Sequence, residues 1–195
     1  LRDLFLEERR KVLALVTAGP RAEFTQACRR LYEANARQME FLREMDAHVP
    51  EAFKVIARAV LQEVLEQEAA RLVEGQGDAA RLREVLERAE RFEVVLDVAP
   101  VERGLTEAVT SWVWMVGEGG DEGLVLRAVS LIEVAESLGL SLDLWEAQNR
   151  FHRAVAAPGR PALAPERLAA LGRRLGFAEE YLAALVPPAA RGESA

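Results

Sequence analysis

The chain has 195 residues and a formal net charge of −7, from 25 basic and 32 acidic side chains. This acidic balance excludes a typical nucleic-acid-binding protein, which needs a net basic surface. Cys28, His48 and His152, the only cysteine and histidines, can form neither a disulfide framework nor a four-ligand zinc site. We therefore expect no metal and no cofactor. No apolar run approaches the roughly 20 residues of a membrane span, and no signal peptide is visible, which predicts a cytoplasmic protein.

The hydrophobic pattern at the start of the chain is helical. Residues 2–17 predict a first helix that ends at Gly19-Pro20, and Pro20 opens a second, because its missing N–H would be unpaired there anyway. The second helix carries a stripe that we expect to face the core, with alternating spacings of four and three residues: Phe24, Cys28, Leu31, Asn35, Gln38, Leu42 and Met45. A third helix starts at Pro50, and Asp78 is the expected N-cap of a fourth.

The second half of the chain is also predicted to be helical. Residues 92–100 are favoured as a buried connector over a lone strand, since nothing else alternates with period two. Three helices follow around Trp112, Leu131 and Phe151, the last capped by Ser141, and two short ones at 165–174 and 177–186. The predicted fold is all-α, a helical bundle of about seven main helices plus two short C-terminal helices. The bundle occupies residues 1–157, and residues 158–195 form a linker, short helices and a frayed tail.

The sequence carries no catalytic signature. The glycine-rich segment 117–123 lacks the lysine and Ser/Thr of a phosphate loop and holds three carboxylates. The nucleophile-elbow pattern Gly-x-Ser-x-Gly is absent. Cys28 lies on an apolar stripe, where cysteine acts as a small hydrophobe. Acid pairs at helical spacing occur throughout the charged surface, so none is assigned a catalytic role.

The segment 142–152 holds the candidate binding residues. On one helix, Trp145, Gln148, Asn149 and His152 occupy adjoining positions three, four or seven apart. An aromatic ring can stack on the C–H face of a sugar while amides bond its hydroxyls. The alternative is that Trp145 packs in the core and the amides satisfy backbone groups of a neighbouring loop. Trp112 falls with the core residues of its helix, so Trp114 is the more exposed candidate.

The run Leu-Asp-Leu-Trp-Glu-Ala-Gln-Asn-Arg-Phe at 142–151 resembles a Leu/Val-Asp-Leu-Trp-x-x-Gln-Asn motif. That motif belongs to an uncharacterised helical domain that follows the catalytic domain in a subset of glycoside hydrolase family 57 proteins. Further pieces agree in order, over roughly residues 1–155: Glu8-Arg9-Arg10, Leu31-Tyr32-Glu33, Met39-Glu40-Phe41-Leu42 and Pro50-Glu51-Ala52-Phe53.

The resemblance implies a non-catalytic accessory domain of an enzyme acting on α-glucans, which packs on the catalytic barrel of the same polypeptide. Trp145, Gln148 and Asn149 would then face either the barrel or the substrate cleft. The chain begins with Leu1 rather than Met, and we expect it to be a piece of a longer polypeptide. The second hypothesis is a free-standing helical interaction protein that self-associates through an exposed stripe and has no enzymatic activity.

Overall fold

A computed structural model describes the backbone of residues 2–156 and 163–185 and the side chains of residues 22–156 and 163–184. These residues form eight α-helices and no strand, which confirms the predicted all-α class. The helices are α1 (Arg2–Glu44), α2 (Glu51–Val73), α3 (Ala79–Arg91), α4 (Ala99–Gly117), α5 (Glu122–Ser137), α6 (Trp145–Ala156), α7 (Pro165–Arg174) and α8 (Glu179–Leu185). None of the helices, over the described residues, combines the length and apolar character needed to cross a membrane.

The chain divides into two compact units. Unit 1 holds the residues up to 65 together with 84–97, and unit 2 holds residues 66–83 and those from 98 onward. The domain boundary expected between residues 157 and 158 does not coincide with this division, because α7 packs against α5 and α8 against α7 within unit 2. Of the linker or turn expected at 158–165, residues 163 and 164 are described and precede α7, whereas residues 158–162 and the frayed tail expected at 191–195 lie outside the described residues.

The first two predicted helices are a single helix. The break predicted at Gly19-Pro20 is wrong, since α1 runs without interruption from Arg2 to Glu44. A proline removes one backbone donor but keeps a helical φ, so a helix can continue through it when the rest of its length is stabilised. Because two predicted helices are one helix in the structure, the described residues form eight helices rather than the nine predicted.

The buried face of α1 differs from the predicted stripe. Cys28, Tyr32 and Met39 are buried, which confirms Cys28 as a core residue, whereas Phe24, Leu31 and Met45 are exposed. The helical period was correct, but α1 has two apolar faces, and periodicity alone does not say which one packs inward. Asn35 donates from Nδ2 to the carbonyl oxygen of Leu31 at 2.7 Å, so its amide is satisfied within the helix.

The connector after α3 joins the elements of unit 1. Within the connector predicted at 92–100, residues 94–98 form no strand, as predicted, but only Phe92 and Val94 are buried and Val95 is 79% exposed. The fully buried Phe92 has its ring edge-on to Tyr32, at 6.4 Å between centroids. The Glu93 carboxylate accepts hydrogen bonds from Arg43 Nη1 and Lys54 Nζ, both at 2.8 Å. The hydrogen bond from Lys54 lowers the pKa of Glu93 below its ordinary value of 4.5 and raises the pKa of Lys54. Glu93 thus links the ends of α1 and α2 to the connector.

We expect Glu93→Gln to lower the melting temperature most at neutral pH. The pKa of Glu93 is lower in the folded protein than in the unfolded chain, where it is near 4.5. The charged carboxylate therefore stabilises the folded state at pH values above 4.5, and this stabilisation is lost as the pH falls through the pKa of the folded protein. The melting-temperature difference from wild type should therefore shrink below about pH 4. Thermal unfolding followed by circular dichroism between pH 3 and 8 measures it. Glu87→Gln, an exposed carboxylate on α3, is the control, and an equal loss in both variants would contradict the role of Glu93.

Helix α4 is the central helix of unit 2. It packs against both α5 and α6, and its buried residues include every one predicted for it: Leu105, Val109, Trp112, Val113 and Val116. Asp121 caps α5 by accepting from the Leu124 N–H at 3.2 Å. Ser141 was predicted to cap α6, and this prediction is wrong. Helix α6 begins only at Trp145, and the Trp145 N–H donates to Asp143 Oδ1 at 3.2 Å.

A glycine permits the close packing of α6, α7 and α8. A Cβ at Gly172 in α7 would lie 2.4 Å from Leu182 Cδ2 and 3.1 Å from Phe151 Cε1. Both neighbouring side chains are fully buried. Any larger residue at this position therefore has to displace part of the core of unit 2.

Gly172→Ala should destabilise the protein by about 1–3 kcal/mol, because the added methyl group overpacks the core. Gly104→Ala is the matched control, since a Cβ at Gly104, also inside a helix, meets nothing within 4 Å. There the higher helix propensity of alanine should stabilise the protein by about 0.5–1 kcal/mol. Urea unfolding of both variants measures the two free energies, and stabilisation by Gly172→Ala would show that α7 does not pack as described.

Candidate functional site

Two exposed tryptophans mark the surface of unit 2. Trp114 on α4 is 50% exposed, and Trp145, the first residue of α6, is 71% exposed. Trp112 is only 8% exposed, which confirms the assignment of Trp112 to the core and of Trp114 to the surface. Large aromatic side chains are mostly buried in folded proteins, so two exposed tryptophans on neighbouring helices make this surface the candidate binding site.

The two tryptophans lie between adjacent surface hollows of about 550 and 420 Å³. Both hollows are lined by Trp114, Trp145, Glu146 and Arg150. The larger hollow is completed by Gly117, Glu118, Asn149, Arg153 and Ala154. The smaller one is completed by Thr106, Glu107, Thr110, Ser111 and Asp143. We call the two hollows together the tryptophan groove.

The groove follows from the helical spacing on α4 and α6. Its lining includes a row at intervals of four residues, formed by Thr106, Thr110 and Trp114 on α4 and by Glu118, which directly follows α4. At 1.5 Å per residue this row is about 18 Å long. A Cβ at Gly117 would lie 3.1 Å from Ala154 Cβ, so a glycine lets α4 and α6 approach closely at the larger hollow. The groove is therefore an extended surface fixed by two packed helices.

The charges of the groove are mixed and partly paired. Arg150 donates from Nε to Glu146 Oε1 at 2.9 Å, one turn apart on α6. The remaining charged groups are the carboxylates of Glu107, Glu118 and Asp143 and the guanidinium of Arg153. Because carboxylates outnumber guanidinium groups, the groove does not favour phosphate or another anion. Its hydroxyl, amide and aromatic groups suit a neutral polar ligand.

Asn149 and Gln148 occupy different environments although they are adjacent in sequence. Asn149 lines the larger hollow, and its Nδ2 donates to the carbonyl oxygen of Trp145 at 2.9 Å. Gln148 instead donates from Nε2 to the carbonyl oxygen of Leu175 at 2.7 Å. Leu175 follows the last residue of α7, where backbone carbonyls lack partners within the helix. Gln148 therefore has the structural role that was the alternative interpretation of the amides.

His152 does not line the groove either. Its Nδ1 shares a hydrogen bond with the Tyr181 hydroxyl, and the Tyr181 ring stacks on Phe177 at 5.4 Å between centroids. This cluster joins α6 to α8 and to the turn before it. Tyr181 was not predicted as a partner of His152, because the predicted helix at 177–186 does not by itself show which helix Tyr181 packs against.

Several groove residues could not be predicted from the segment 142–152. The hydroxyls of Thr106, Thr110 and Ser111 come from α4, and only the packing of α4 against α6 brings them beside Trp145. The sequence did contain a signal for these residues, since Thr106 and Thr110 precede Trp114 at intervals of four residues and so share its helix face.

In the two described ranges, no group of three or more His, Cys, Asp or Glu side chains is placed to hold a metal ion.

Comparison with known proteins adds no relative. No protein-family model, curated protein or solved structure matches the chain. The similarity of residues 142–151 to the accessory domain of family 57 proteins therefore stays a prediction from the sequence motif.

Trp145→Ala should lower the free energy of unfolding by about 1 kcal/mol or less, since its side chain is 71% exposed, and Trp114→Ala should cost about 1–2 kcal/mol, since half of its surface is buried. Trp112→Ala should cost about 3–5 kcal/mol, because it empties a buried site. Chemical denaturation followed by circular dichroism gives the three values. A cost for Trp145→Ala as large as that for Trp112→Ala would place Trp145 in the core and remove it from the candidate site.

Proposed function

We propose that this chain is a non-catalytic helical accessory domain of a carbohydrate-active protein, and that its tryptophan groove binds a stretch of α-glucan. The protein would be a glycoside hydrolase or glucanotransferase similar to family 57. The observation that carries the proposal is that Trp114 and Trp145, both at least half exposed, line the same two adjacent hollows.

The chemistry of the groove supports a sugar ligand. A pyranose ring has an apolar C–H face and hydroxyl groups around its edge. The indole rings provide flat apolar surfaces for the C–H face of the sugar. Thr110, Ser111 and Asn149 provide hydrogen-bonding groups for its hydroxyls. Both hollows fall in the range of about 300–1,000 Å³ that small-molecule sites occupy. The length of the groove along α4 favours an oligosaccharide over a single sugar.

The choice of α-glucan and of an accessory role rests on the resemblance at 142–151. In that family the catalytic carboxylates lie on a barrel, and the proposed partner of this chain is such a barrel on the same polypeptide. Hydrolysis of a glycosidic bond needs two carboxyl groups at a set separation on either side of it. We assign no such pair here, so the proposed contribution of the groove is to hold the glucan.

Titration calorimetry with a soluble α-1,4-linked glucan oligosaccharide tests the binding. We expect a dissociation constant on the order of 1 mM, as for a shallow site with few anchors. Trp145→Ala should weaken binding at least about tenfold, the equivalent of 1.4 kcal/mol. Leu126→Ala, which truncates an exposed apolar side chain that lines neither hollow, is the control and should bind like wild type. No heat of binding from wild type at 10 mM oligosaccharide would contradict the proposal, as would equal binding by Trp145→Ala.

The accessory role makes a separate prediction about the native polypeptide. An antibody raised against this chain should detect, in a lysate of the source cells, a protein several times larger than 21.6 kDa. Mass spectrometry of that band should then identify a catalytic domain in the same polypeptide. A band at 21.6 kDa would contradict the accessory-domain proposal while leaving the sugar-binding test unaffected.

A further inference from the structure

Helix α1 carries an exposed row of residues with the spacing of a coiled coil. Starting at residue 24, exposed side chains recur at alternating intervals of three and four residues up to residue 45. The first residue of the row and the residues at intervals of seven after it are Phe24, Leu31, Gln38 and Met45. The intervening positions are Ala27, Ala34 and Phe41. In heptad notation these are the a and d positions, and we call the row the α1 seam.

The α1 seam is separate from the face that α1 buries in unit 1. The buried residues Cys28, Tyr32 and Met39 occupy the e and b positions, on a neighbouring side of the helix. The four large apolar residues of the seam are 49–66% exposed. A sustained a/d repeat of this kind is the pattern by which one helix packs knobs into the holes of another. The seam therefore has the form of an interface whose second helix is missing.

We propose that a second copy of this chain packs on the α1 seam, so that two α1 helices form a coiled coil. A coiled-coil partner has to carry the same heptad repeat, and the seam itself supplies that repeat. A two-fold pair of identical helices makes the interface self-complementary, as most homodimer interfaces are.

The length of α1 supports this occupant. At 1.5 Å per residue, its 43 residues extend over about 65 Å. The other helical parts of unit 1, residues 51–65 and 84–91, are only about 22 and 12 Å long. A helix draws most of its stability from packing along its length, and periodic helices well beyond about 25 residues are typical of coiled coils. In the part of the chain that the structure describes, α1 is the longest helix, and a second α1 presents the same repeat along the whole seam.

The polar and charged residues of the seam fit pairing with a second copy. Gln38 is a single polar residue at an a position, and one buried polar residue at such a position fixes the register of a coiled coil at some cost in stability. The flanking g positions carry both signs, with Glu23 and Glu44 at the two ends and Arg30 and Arg37 between them. In a parallel pair they face the e positions of the other copy, which hold no charged residue, so like charges do not oppose each other.

The exposed apolar residues of the seam supply about two thirds of the area of a small specific interface. An aromatic side chain offers about 150–250 Å², so the exposed parts of Phe24, Leu31, Phe41 and Met45 add up to roughly 400 Å² per copy. The small seam residues and the stems of the flanking arginines enlarge this area. The total for two copies approaches the roughly 1,200 Å² at the lower end of specific interfaces.

Sedimentation equilibrium of the full 195-residue chain at 10–100 µM tests the proposal. Wild type should have twice the monomer mass of 21.6 kDa. Leu31→Glu should raise the dissociation constant at least about 100-fold and give a monomer, because it buries a carboxylate in the seam of each copy. Leu126→Glu is the matched control: Leu126 on α5 is 46% exposed, nearly the same as Leu31, and this variant should remain a dimer. Circular dichroism checks that both variants are folded, and if Leu31→Glu is not, Ala34→Glu takes its place.

A second readout separates a coiled coil from other association. Gln38→Leu should tighten the dimer about tenfold, because it replaces the polar seam residue with an apolar one. Trp145→Ala, in unit 2, should leave the dissociation constant unchanged. A monomeric wild type at 100 µM would overturn the proposal. A dimeric Leu31→Glu variant, a monomeric Leu126→Glu variant or a weaker Gln38→Leu dimer would each overturn it too. The sugar titration does not depend on any of these outcomes.

Discussion

The packing of α4 in unit 2 determines what the candidate site is. Trp112 is buried with Val109, Val113 and Val116, and this fixes the rotation of the helix about its own axis. Side chains two residues apart in an α-helix point in directions that differ by about 200° around the helix axis. The burial of Trp112 therefore forces Trp114 outward, and the close approach of α4 to α6 at Gly117 brings it beside Trp145.

The residues singled out in the sequence motif lie on two different sides of α6. Ala147, Phe151 and Val155 form its buried face. Gln148 and His152 lie toward the C-terminal elements and hold them through hydrogen bonds to Leu175 and Tyr181. Trp145 and Asn149 are directed to the groove. A run of residues that looks like one functional cluster thus contains a structural half and a candidate binding half.

The parts of this structure that could be predicted are those set by a single apolar period. The buried residues of α4 were all found because that helix has one clear apolar face. Helix α1 has two, and the sequence does not show that Tyr32 and Met39 pack inward while Leu31 and Phe41 do not. The α6 cap was misplaced because Ser141 and Asp143 are both good N-caps, and only the packed start of the helix selects Asp143. Thr106 and Thr110 were missed because their place beside Trp145 depends on contacts between helices.

The groove and the α1 seam differ in the kind of contact that they favour. The groove offers isolated rings among polar and paired charged groups, which suits a weak ligand that exchanges. The seam is a row of mostly apolar residues along α1, interrupted by Gln38, and such a row suits a long-lived protein partner. Under the two proposals, each chain in a pair carries its own groove, and a glucan long enough to span both would meet the second groove as an intramolecular site. Weak single-site binding would then become stronger for polymers than for short oligosaccharides, without any new contact to the sugar.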